Sequence, residues 1–121
     1  MKRFIAWLRR HMPRRVRWNG YPRIRGRKIR RAIRIAQAHG LVVTSTTGGT
    51  HSSTSWHYQG RAVDVASSSV TKMKQAQIAI ARDIGRENFL ELFGPGAWYI
   101  KNGEKIKGAF PDHGDHIHIA I

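Results

Sequence analysis

The chain has 121 residues, no cysteine and a formal net charge of +15. That length suits one domain of modest size, and the missing thiols exclude disulfides, thiolate zinc frameworks and cysteine catalysis. The charge is lopsided: residues 1–34 carry fourteen Lys and Arg and no acid, whereas residues 35–121 carry eight basic and seven acidic residues. Most of the basic excess therefore belongs to an N-terminal arm, residues 1–27, broken by Pro13, Gly20, Pro22 and Gly26. Residues 28–121 form the expected domain. No apolar run approaches the roughly 20 residues of a membrane span. Phe4–Leu8 is shorter than the apolar core of about 7–15 residues in a signal peptide, so no conventional signal peptide is expected.

From Lys28 to His39 the apolar residues Ile29, Ala32, Ile33 and Ala36 recur on one helical face, and Gly40 stands where a helix ends. Leu41–Thr46 is rich in β-branched residues and predicts a strand, followed by a polar loop from Thr47 to Trp56. Arg61–Ala66 predicts a second strand, with Ala62, Asp64 and Ala66 on one face and Arg61, Val63 and Val65 on the other. Ser67–Ser69 offer helix caps for a helix over Val70–Ile84, whose stripe is Val70, Met73, Ala76, Gln77, Ile80 and Ile84. Strands are expected at Asn88–Phe93, in a hairpin around Asn102-Gly103 (Trp98–Ile100 with Lys105–Lys107), and at Asp115–Ile121. This order predicts an α+β fold, a small and mainly antiparallel sheet with flanking helices.

The chemistry-bearing residues fall in two clusters. His57 and Asp64 stand seven residues apart across Gly60, which permits a turn between them. On the last strand His116, His118 and Ala120 face one way, and Ile117, Ile119 and Ile121 the other. If the strand bearing Asp64 lies alongside, imidazoles and a carboxylate can surround a single ion. Catalytic zinc takes three such ligands and keeps a fourth position open.

Ser55-Trp-His-Tyr-Gln-Gly-Arg-Ala-Val-Asp64 resembles the Ser-x-His-x-x-Gly-x-Ala-x-Asp signature of the zinc D-Ala-D-Ala carboxypeptidase and L-alanyl-D-glutamate endopeptidase family, the VanY-like group with the hedgehog/DD-peptidase fold. His116-Ile-His118 resembles the closing His-x-His strand of the same group. The resemblance spans residues 28–121. It implies His57, Asp64 and His118 as zinc ligands, and His116 as a hydrogen-bond donor to the developing oxyanion. It implies a general base at Asp115, the favoured position, or at His113. The Arg or Lys that many members carry after the strand preceding the first motif has no counterpart in Thr44–His51. His51, if protonated, is the one cation there.

The implied activity is zinc-dependent hydrolysis of an amide bond in peptidoglycan stem peptides. Either the D-Ala-D-Ala or the L-Ala-D-Glu bond is the target. Small size, no conventional signal peptide and the resemblance point to a monomeric, phage-type endolysin acting at the bacterial cell wall. The arginine arm suits anionic cell-envelope polymers or a membrane surface, with nucleic acid as another polyanionic partner. The competing readings are a non-catalytic zinc module for wall or virion binding, and a nucleic-acid-binding protein acting through the arm.

Overall fold

A computed structural model describes residues 26–45 and 61–121. Among the described residues the first helix, α1, spans Arg27–Ala38 and buries Ile29, Ala32, Ile33, Ile35 and Ala36. Ile35 widens the expected stripe by one position. The helix closes through Gly40, which adopts φ 84. The Gly40 N–H donates to the Gln37 carbonyl at 2.9 Å and the Leu41 N–H to the Ala36 carbonyl at 3.0 Å. This is the Schellman arrangement, and a residue without Cβ makes it at no steric cost. His39 is the cap residue, its Nδ1–H donating to the Ile35 carbonyl at 2.9 Å.

Six strands follow: β1 (Val42–Ser45), β2 (Ala62–Ala66), β3 (Glu91–Phe93), β4 (Trp98–Lys101), β5 (Glu104–Lys107) and β6 (Ile117–Ala120). They form one sheet in the order β1-β2-β6-β3-β4-β5, with every neighbouring pair antiparallel. The last strand in the chain is thus inserted between β2 and β3. Val63, Val65, Leu92, Ile100, Ile117 and Ile119 are buried in the same core as α1 and the second helix, α2 (Val70–Ile84). Among the described residues, two helices on one side of an antiparallel sheet give a small α+β fold. Alternation along the strands directs the polar residues to the other side.

α2 starts as expected, with the Ser69 side chain accepting from the Lys72 N–H at 3.2 Å, and ends at Gly85. Arg31 of α1 donates from Nη2 to Asp83 Oδ1 of α2 at 2.8 Å, tying the two helices together. Gln77 is the buried polar residue of α2. Its Nε2 donates to the Trp98 carbonyl and its Oε1 accepts the Gly96 N–H, both at 3.0 Å. The turn between β3 and β4 is therefore held by a side chain from the helix.

Several boundaries differ from expectation. Val70 is 47% exposed and lies off the buried stripe, because it opens the helix at its outer end. The third strand begins at Glu91 rather than Asn88. Arg86–Asn88 instead form a 3-10 turn in which Asn88 Nδ2 donates to the Ile84 carbonyl at 2.7 Å. The last strand is Ile117–Ala120, so His116 stands just before it. The Asn102-Gly103 hairpin turn is as expected, with φ 51 and 79, the positive values that such two-residue turns require.

Candidate functional site

The site is built on the sheet face turned away from the helices. In the β2–β6 register Asp64 is the direct partner of His118, flanked by Val63 opposite Ile119 and Val65 opposite Ile117. Those apolar pairs are buried, so a one-residue slip would force Asp64 and His118 into the core. Hydrophobic register thereby places the polar pair. On the other flank of β6, Glu91 of β3 is the partner of Ala120 and Phe93 the partner of His118.

The His118 imidazole is held between two carboxylates. Nδ1 lies 3.0 Å from Asp64 Oδ1 and Nε2 lies 3.0 Å from Glu91 Oε1. The three side chains are only 12%, 16% and 24% exposed for His118, Asp64 and Glu91. Burial by itself disfavours a charged imidazole. Hydrogen bonds from His118 to Asp64 and Glu91, with the charges of both carboxylates, outweigh it and raise the pKa to about 9. The hydrogen bond from His118 likewise holds Glu91 below the ordinary carboxylate value, against the opposing effect of burial.

Asp64 and His118 suit a shared cation. Two donors of one tetrahedral zinc, each bound at roughly 2.1 Å, sit about 3.4 Å apart, and the observed Asp64–His118 separation is 3.0 Å. A slight opening of the pair would admit an ion on the Nδ1 side. Among the described residues no group of three His, Asp or Glu converges as a complete metal cage. His57, the remaining ligand implied by the resemblance, lies at 46–60, outside the described residues, as do His51, Trp56, Tyr58 and Gly60.

The segment between β5 and β6 brings the other expected residues to this face. Phe110 stacks on Phe93 with ring centroids 3.8 Å apart, and Tyr99 packs edge-on against both. His113 stands edge-on to Phe93 and Phe110 at 5.2 and 5.0 Å, 4.6 Å from the His116 ring and 6.0 Å from that of His118. Its Nδ1 lies 2.7 Å from the Pro111 carbonyl, which can only accept, so Nδ1 carries the proton. Nε2 has no hydrogen-bond partner among the described residues. Burial pushes the His113 pKa below its usual value, although the Pro111 hydrogen bond opposes this. Asp115 is 91% exposed and its Oδ1 accepts from His116 Nδ1 at 2.7 Å. That hydrogen bond lowers the Asp115 pKa.

Asp64, His113, Asp115, His116 and His118 are thus gathered on one face, and Glu91 and the Phe93–Phe110–Tyr99 wall join them unforeseen. A readable signal existed for Glu91: Glu91 and Phe93 alternate with Leu92, so the carboxylate belongs to the face opposite the core. Among the described residues no helix is long and apolar enough to cross a membrane. Comparison of the chain with models of protein families, with curated proteins and with solved structures finds no match.

Proposed function

We propose that this protein is a zinc-dependent amide hydrolase acting on peptidoglycan stem peptides, on a fold of the hedgehog/DD-peptidase type. The observation that carries the reading is the pairing of Asp64 with His118 across β2 and β6. It joins two residues that the zinc peptidase signatures name from separate parts of the chain. Asp64, His118 and His57 would hold the metal. Zinc, when bound, supplies Lewis-acid polarisation of the scissile carbonyl and acidifies water.

The chain's own residues divide the remaining work. His113 presents an Nε2 lone pair, because its other nitrogen is committed to Pro111. Burial lowers its pKa from the ordinary imidazole value, which favours the neutral ring that a proton acceptor requires. Asp115 lies further from that condition, since its carboxylate is engaged by His116 and its pKa is depressed. These two features favour His113 as the base, with Asp115 orienting His116. His116 in turn has Nε2 for the oxyanion. The aromatic wall of Phe93, Phe110 and Tyr99 supplies an apolar flank for the peptide. The arginine arm would hold the protein to anionic cell-envelope polymers.

Metal analysis of purified protein should find about one zinc per chain under the coordination rule for catalytic sites. Clearing of cell-wall suspensions should stop with a chelator and with Asp64→Ala or His118→Ala. Full lysis by those variants would refute the reading. Zinc uptake without any product in a mass spectrum of treated peptidoglycan would indicate a non-catalytic module.

A further inference from the structure

His118 is the single imidazole of the cluster with both ring nitrogens engaged by carboxylates from neighbouring strands. A neutral imidazole has one protonated nitrogen and one lone pair, and its neighbours decide which is which. Only the nitrogen facing Asp64 can share a cation with that carboxylate. The proton must then stay on Nε2, where Glu91 Oε1 lies 3.0 Å away. Glu91 is fixed for this task by its backbone. It sits in β3 opposite Ala120, two residues along β6 from His118, while its neighbour Leu92 is locked in the core opposite Ile119. Its reach is therefore diagonal and set by the register.

We propose that Glu91 is the positioning residue of the metal centre: by accepting the Nε2–H of His118 it fixes the imidazole with the Nδ1 lone pair turned towards Asp64 and a divalent cation. This rests on the zinc reading above and names the residue that orients one of its ligands. A carboxylate behind a ligating histidine holds the ring orientation and raises its basicity, and losing one typically weakens metal binding by about 10–100-fold.

The test uses full-length protein, with zinc added in competition with a chelator of known affinity. Glu91→Ala should weaken zinc binding by about 10–100-fold, and Glu91→Gln, which keeps an oxygen acceptor at the same reach, should recover most of that loss. In zinc-loaded wild type, nitrogen-15 NMR should show His118 with Nδ1 bound to metal and Nε2 protonated. Glu91→Ala should move the Nε2 proton resonance of the folded, zinc-loaded protein upfield as its carboxylate acceptor is lost, whereas Glu91→Gln should keep most of the hydrogen-bonded shift. Melting of the metal-free variants checks folding, and Glu91→Gln with the NMR readout decides the matter if Glu91→Ala fails to fold. Zinc affinity equal to wild type in both variants, or coordination through Nε2, overturns the role of Glu91 while leaving the zinc reading intact. Wild-type protein that takes up no zinc overturns the zinc reading itself.

Discussion

His113 and Asp115 are two residues apart, yet their surroundings differ, and the proposed hydrolysis would use them differently. One is a half-buried imidazole with its proton pinned by a carbonyl, and the other is an exposed carboxylate bonded to His116. His113→Ala should lower kcat by about 100-fold or more, as expected for loss of a general base. Asp115→Asn should cost nearer tenfold, the lower range for a partner behind a functional histidine. Steady-state kinetics on a soluble stem peptide measures both, and the reverse ranking would return the base to Asp115. His118 also makes the metal-free protein sensitive to pH. Its pKa is raised from 6.5 to about 9 in the folded state, so the stabilisation is fully present below about pH 6.5 and disappears as pH rises through about 9. The shift corresponds to something on the order of 3 kcal/mol. Melting temperatures of chelator-treated protein should fall between pH 6.5 and 9, and His118→Gln should flatten that slope.

At the scale of elements, Gln77 shows how a helix governs the geometry of the site it does not touch. Its amide closes the Gly94–Gly96 turn, and a Cβ at Gly94 would stand 2.5 Å from Gln77 Oε1. Gln77→Ala should destabilise the fold by roughly 2–4 kcal/mol, combining a buried N–H left unpaired with a cavity, as read from urea denaturation. An unchanged midpoint would show that the turn holds itself. The sequence periodicity disclosed Gln77 as a stripe position but not its partners, since hydrogen bonds across nineteen residues have no local signature. The same limit separates what was legible from what was not. Alternation placed Ile117, Ile119, Val63 and Val65 in the core and so turned Asp64 and His118 to the opposite face. Alternation within one strand is silent about which strand lies alongside, and for that reason Glu91 beside His118 went unread. Asn88, expected in the third strand, falls outside it because its side chain closes a turn on Ile84, a local capping preference that outweighs β periodicity.

Across the whole molecule the positive charge is concentrated towards the N-terminus, where residues 1–34 carry fourteen Lys and Arg and no acid. Residues 1–25 alone hold nine Lys and Arg, and a truncation that starts the chain at Gly26 leaves α1 whole, since α1 begins at Arg27. The truncated protein should lose most of its low-salt binding to anionic wall polymer in sedimentation assays, yet hydrolyse a small soluble peptide at the wild-type rate. Wild-type binding should weaken steeply between about 0.05 and 0.2 M salt, as screening of a polycation demands. Binding that ignores salt would place the interaction elsewhere.

The insertion of β6 between β2 and β3 carries a consequence for the order of assembly. Until that strand is in place the sheet exists as two fragments, β1 with β2 and β3 with β4 and β5, each with an open edge, and Asp64 and Glu91 belong to different fragments. His118 arrives with the strand that joins them. Closing those edges requires contacts distant in sequence, the slow kind in folding. A partly folded chain therefore holds the carboxylates apart, and the Asp64–His118–Glu91 cluster comes together only as the sheet is completed.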